Sequence, residues 1–228
     1  MNEPSNAPMF DAAPSAPEPF YRTWIKAVTK PNEQTFADIA NSPDANPNKA
    51  YLWMFLVGLV TSFLSVTVNL IFNSSQYSFD GSVGVVSVIC AVPVGAGLSV
   101  LFFAIGVAIV QWVASLFGGT GKYNQLVYIV AAYSAPIALV GGLVNAVASL
   151  VPSLNLCVLL LISVVSLYFE TVAVKAVNNF DWGKAIASVL IPFFVILFVC
   201  GCLVIGLLTL LAPAIGDVFS TINQSLGY

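Results

Sequence analysis

Five stretches of this sequence are too long and too apolar for a water-soluble fold. They cover residues 50–72, 82–117, 123–150, 154–177 and 185–211, and only 154–177 holds any charge, Glu170 and Lys175 near its end. A helix rises about 1.5 Å per residue, so roughly 20 apolar residues cross a hydrocarbon core about 30 Å thick. Each run meets that length. The chain therefore reads as all-α, a polytopic membrane protein built as a five-transmembrane-helix bundle.

The run 82–117 needs a decision, because two short spans would use up every residue and leave none for a turn. Pro93, Gly95 and Gly97 fit one long kinked helix, or a partial outer helix followed by one full span; either crosses once. The bases support this count. With five crossings the N-terminal segment, the second connection and the fourth connection share a side. Arg22, Lys26, Lys30 and Lys49 lie in the first, Lys122 in the second, and Lys175 and Lys184 in the third, which accounts for all seven Lys and Arg. The positive-inside rule assigns that side to the cytoplasm, and Trp24, Trp53, Trp112 and Trp182 fall near the same interface. The expectation is a multi-pass protein of the plasma or inner membrane, N-terminus cytoplasmic and C-terminus outside.

More than half of the charged residues precede residue 50, which divides the chain. Residues 1–19, rich in Pro and Ala, have too little apolar content to offset ordering entropy and read as a disordered tail. Residues 20–49 read as a cytosolic or interfacial segment. Within it Phe20, Trp24 and Val28 recur every four residues with Tyr21 and Ile25 beside them, while Arg22, Lys26 and Lys30 recur on another face. That is an amphipathic helix suited to the headgroup region, its bases toward anionic lipid. The alternative is a small helical hairpin packed on the membrane domain. Pro31 ends the first helix, and Phe36, Ile39 and Ala40 mark the apolar side of a second. The membrane domain spans 50–212, and 213–228 reads as an external tail with Phe219, Ile222 and Leu226 at helical spacing.

With no histidine in the chain, an imidazole base, a His-activated nucleophile and a His metal site are all excluded. A net charge of −3 with scattered bases argues against nucleic acid. Cys90, Cys157, Cys200 and Cys202 all sit inside apolar runs as small hydrophobes. Enzyme signatures are absent, and Gly118–Lys122 reads as a tight turn between two membrane helices rather than a phosphate cradle. No cofactor is expected.

The polar residues at depth remain as candidates. Glu170 is the one acid well inside a span, and an ionisable group there is a functional candidate by default. Two readings stand: a structural acid, hydrated or paired with Lys175 or Lys122, and a proton or substrate site. Gln111 lies at similar depth and is placed to hydrogen-bond across to it. Ser134, Ala138, Gly142 and Ala146 form a small-residue stripe, read as intramolecular packing or as the seam of a homo-oligomer. Thr61, Ser62, Ser65, Thr67 and Asn69 make the first span unusually polar.

Several segments also resemble a known family. They are Lys30-Pro31, then Thr35-Phe36-Ala37-Asp38-Ile39-Ala40 before the first span; Leu116-Phe117-Gly118-Gly119-Thr120-Gly121-Lys122-Tyr123; Ala131-Ala132-Tyr133-Ser134-Ala135-Pro136; Val174-Lys175-Ala176-Val177; and Trp182-Gly183-Lys184-Ala185. Over residues 20–210 this order resembles the Yip domain family of Ypt/Rab-interacting membrane proteins, in its bacterial-type form. The chain lacks the Asp-Leu-Tyr-Gly-Pro segment of the eukaryotic branch. The resemblance implies a five-helix membrane protein with a cytosolic N-terminus and no defined reaction. The function expected is thus a non-enzymatic integral membrane protein, a membrane-organising or trafficking-type scaffold or a recruiter of partners. Its partners would be membrane lipids, a membrane or cytosolic protein, or a second copy. A small transporter or permease component for a lipid or small solute is the alternative, motivated by Glu170, Gln111 and the polar first span.

Overall fold

The computed structural model describes residues 19–72, 81–148 and 152–225. Among them are seven helices and no strand: α1 Phe20–Thr29, α2 Glu33–Ala40, α3 Pro47–Phe72, α4 Gly81–Leu116, α5 Tyr123–Ala148, α6 Pro152–Asn178 and α7 Trp182–Ser225. Five of these, α3 to α7, are long and apolar enough to cross a membrane. The tail read as disordered lies, Pro19 apart, outside the described residues.

Local chemistry sets the helix ends. The Asn32 side chain caps α2 by accepting from the Thr35 N–H at 2.8 Å, and Pro47 and Pro152 open α3 and α6 where a missing N–H costs nothing. At the far ends, Gly118 (φ 85°) follows α4 and Asn179 (φ 53°) follows α6, the two left-handed residues that turn the chain. The long apolar run forms one helix, α4, with Pro93 inside it. Where the sequence suggested that the last span stops at 211, α7 continues through Pro213 to Ser225. Proline there removes one backbone hydrogen bond but does not end the helix.

α5 is the central helix. Leu126 to Tyr133 are buried without interruption, because α3, α4 and α6 surround the helix and α1 and α2 close its remaining face. α4 packs on α3 and α7, and α7 packs on α6, completing the ring. Small residues set the closest approaches. A Cβ on Gly58 would lie 2.8 Å from Ser99 Oγ, and one on Gly142 would lie 2.9 Å from Thr61 Cγ2, so α4 and α5 each press against α3 at a glycine. Beyond Pro192, nearly every described side chain of α7 is exposed, as suits a peripheral helix facing acyl chains.

The two short N-terminal helices fill the cleft between α3 and α6. α1 lies on α5, and α2 lies on α6 and α5. This hairpin sits at the end of the bundle where α3, α5 and α7 begin and α4 and α6 finish, so the seven bases gather at one end.

Candidate functional site

The basic end is built from three linked parts. The first is the seat of the hairpin. Phe36 is fully buried and stacks on Tyr133 of α5 at 6.0 Å between ring centroids, with Phe169 of α6 at 6.2 Å. Burying an aromatic ring of this kind is worth several kcal/mol, about 3–5 by truncation. Trp24 meets Trp53 of α3 nearly at right angles (centroids 5.8 Å apart), and Trp53 in turn meets Tyr128. The Trp24 Nε1–H is buried without a hydrogen-bond acceptor among the described residues. Two ion pairs fasten the hairpin. Lys175 pairs with Glu33 across the α2–α6 contact while its ammonium lies 5.5 Å from the Trp182 ring, and Lys26 reaches Asp38 at 3.9 Å. Gln125 of α5 donates to Asn41, which follows α2, at 2.9 Å.

The second part is a buried amide knot. Gln111 of α4 donates through Nε2 to the Gly121 carbonyl (2.7 Å) and to Asn178 Oδ1 (3.1 Å), and its Oε1 accepts from Asn178 Nδ2 (3.3 Å). Asn178 Oδ1 also accepts from the Gly121 N–H at 3.1 Å, which fixes the orientation of that amide. One pair of side chains thus joins the ends of α4 and α6 to the connecting turn. The turn has to be glycine here: a Cβ on Gly119 would lie 2.9 Å from the Ala114 carbonyl oxygen, and one on Gly121 2.7 Å from that of Val177. Next to it, Tyr123 donates to the Ala104 carbonyl at 3.0 Å, so its one hydroxyl proton is committed and Tyr51 donates to it, also at 3.0 Å.

The third part is the surface of α1. Thr23 and Ala27, both small, are buried against the bundle. Phe20, Tyr21 and Ile25 remain exposed, and so do Arg22, Lys26 and Lys30 on another face. Beneath the helix is an apolar groove of about 550 Å³ whose walls expose no polar atom. A second cavity of about 640 Å³ adjoins it across Ile137, Gly141 and Ile162, lined in part by Thr61, Ser62, Ser65 and Asn145. Thr61 and Thr67 spend their hydroxyls on their own helix, bonding Val57 and Phe63 carbonyls; the Asn69 side chain is outside the described residues.

The residues singled out from sequence separate on this map. Gln111 bonds Asn178 and the turn, not Glu170. Lys175 takes Glu33, and Lys122 is exposed, so neither is the partner expected for Glu170, which has no ion pair among the described residues. Glu170 is half-buried near Tyr133, eight residues and about 12 Å before the end of α6. The physical reason is azimuth: residues five apart on a helix differ by about 140°, so Glu170 and Lys175 face different neighbours. The stripe on α5 faces α3 at Gly142, and Ser134 reaches Met54 of α3. The sequence reading does not single out Asn178, Glu33 or Phe169, and it names Gly121, Phe36 and Tyr133 only for a turn, a helix face and a family segment, not as partners in a site. The sequence signal available was the pair Asn178-Asn179 ending a span.

This arrangement, five spans with a two-helix hairpin seated at the basic end and a glycine turn locked by amides, covers the segments that carried the resemblance. A family model of the Yip1 domain matches residues 25–203. The chain belongs to the Yip1 domain family. No curated protein and no solved structure matches it. In this Yip1-family chain the matched region begins inside α1 and ends inside α7, so it takes in the second half of α1, all of α2, the amide knot and four complete spans.

Proposed function

We propose that this Yip1-family protein organises membrane without catalysis, by holding an amphipathic helix in the cytoplasmic leaflet at a fixed position beside its bundle. The observation that carries this is the three-sided character of α1. Its small residues Thr23 and Ala27 dock on α5, while Phe20, Tyr21 and Ile25 stay outside the bundle and Arg22, Lys26 and Lys30 occupy the remaining face. A free amphipathic helix binds a membrane reversibly and senses its curvature and charge. Docked beside five spans, the same helix adds volume to one leaflet permanently. The positive-inside rule, applied to seven bases gathered at one end, supports the cytoplasmic assignment. Family membership supports protein partners as well, and the basic end is the face that would meet them.

The test is curvature sorting. The protein is reconstituted into giant vesicles and its density compared between the vesicle body and a pulled membrane tether. Wild type is expected to concentrate in the tether, and Phe20→Asp/Ile25→Asp to lose the enrichment while keeping its fold. Equal density of wild type in tether and vesicle would sink the proposal. Orientation is tested separately in a background with Cys90, Cys157, Cys200 and Cys202 replaced; all four are exposed on spans, so replacement leaves packing intact. A single cysteine at Thr120 should react with impermeant reagent only from the cytoplasmic side.

A further inference from the structure

We propose that the groove beneath α1 binds one acyl chain of an anionic glycerophospholipid, whose headgroup is met by the bases of α1; this rests on the interfacial placement of α1 proposed above. The groove, about 550 Å³, lies within the roughly 300–1,000 Å³ range of ligand pockets. Its roof is Trp24, Ile25 and Val28; its walls include Val140 and Val144 of α5 and Leu161 of α6. Nothing polar is exposed inside, so it offers an ordered water no partner and a polar solute no orienting contact. Val140, Val144 and Leu161 are also on the exposed surface of the bundle, which makes the groove continuous with the acyl region of the bilayer. A second helix, about 10–12 Å across, would have to displace α1 to enter, whereas a single chain passes beneath it.

Charge specifies the headgroup. Arg22, Lys26 and Lys30 each directly follow a groove-lining residue, Tyr21, Ile25 and Thr29, so the cations stand one step around the helix from the rim. Arg22 and Lys30 have no ion-pair partner among the described residues, and Lys26 reaches Asp38 only at 3.9 Å with both side chains largely exposed. A chain leaving the groove past α1 brings its phosphate to these bases, where each contact with an anionic lipid strengthens binding. An uncharged or zwitterionic lipid fills the groove equally well but gains less at the rim.

The experiment uses the full chain in mild detergent, with native mass spectrometry of lipid retained from added phosphatidylglycerol or phosphatidylcholine. Wild type should retain one phosphatidylglycerol in preference to phosphatidylcholine by about 5- to 30-fold, the effect of one or two cation contacts. Val140→Trp, at an exposed wall position, should abolish retention of both lipids. Arg22→Gln/Lys26→Gln/Lys30→Gln should retain a lipid but lose the preference. A phosphatidylglycerol with a diazirine in its chain should label peptides from residues 136–144 and 158–162. The proposal is overturned if Val140→Trp, or Leu161→Trp should the first fail to fold, retains lipid like wild type, if wild type shows no preference, or if the label lands elsewhere. Wild type that sorts to tethers while lipid retention ignores the groove overturns this site alone. Loss of both results overturns the interfacial reading beneath it.

Discussion

Replacing Asn178 by leucine removes four hydrogen bonds while keeping the branched shape and the number of heavy atoms. The side chain accepts from the Gly121 N–H and from Gln111 Nε2, both at 3.1 Å, and donates to Gln111 Oε1 at 3.3 Å and to the Val174 carbonyl at 3.1 Å. The Val174 carbonyl keeps its place in the helix ladder, and Gln111 Nε2 keeps the Gly121 carbonyl. Two groups are stranded, the Gly121 N–H and Gln111 Oε1. A buried group left unsatisfied costs about 1–3 kcal/mol. Interhelical hydrogen bonds in membranes average nearer 0.6 kcal/mol, because the unfolded state in lipid also finds partners. Together these place Asn178→Leu at about 2–4 kcal/mol of destabilisation. Gln111→Leu strands Asn178 in turn, and the double substitution removes both polar partners, so it should cost less than the two singles added. The expected coupling is about 1 kcal/mol or more, as for residues in one network. Reversible unfolding in mixed micelles, following helix signal against detergent fraction, measures all four proteins of the cycle. If Asn178→Leu falls within about 0.5 kcal/mol of wild type and the cycle closes to zero, the knot does not hold the helix ends together.

Phe36→Ala removes the ring seated between Tyr133 and Phe169 and should cost about 3–5 kcal/mol, seen first as faster amide exchange in α2 rather than in α5. Gly58→Leu places atoms where Ser99 and Ala96 already sit and should lower the unfolding midpoint clearly, whereas Gly206→Leu, with nothing within 4 Å of its Cβ position, should leave it unchanged. Glu33→Gln breaks the pair with Lys175 and should make the 31–46 segment cleave faster in limited proteolysis without loss of the spans. Glu170→Gln removes an acid that has no ion pair among the described residues, so thermal stability should hold or rise; a fall of several degrees would reveal a partner for the carboxylate.

What could be read in advance divides along a physical line. Span number and helix type follow from apolar run length, and the bilayer enforces them. The period of Phe20, Trp24 and Val28 marked α1 as amphipathic. It did not reveal that Thr23 and Ala27 would face the bundle, because small residues carry little hydropathy signal but permit the closest approach. Gln111 was singled out for its depth, yet its partner is Asn178, 67 residues on. Depth is a one-dimensional property of sequence, whereas pairing depends on rotation about each helix and on which helices are neighbours. Asn178 looked like an ordinary span end for the same reason. The apolar run ends at 211 and the residues from 213 read as a separate tail, whereas α7 continues through Pro213 without a break.

The seating of the hairpin also orders events in time. Glu33 and Lys175 are 142 residues apart, and Phe36 has both of its ring partners only once α5 and α6 exist. As the chain is synthesised, α1 and α2 emerge first, before any wall of their cleft. Trp53 of α3 and then α5 supply the seat of α1, but α2 lacks Phe169 and Lys175 until the fourth span has joined the bundle. A helix made near the start of the chain is therefore among the last to find its full set of contacts, and a chain interrupted before α6 would leave α2 seated on one side only.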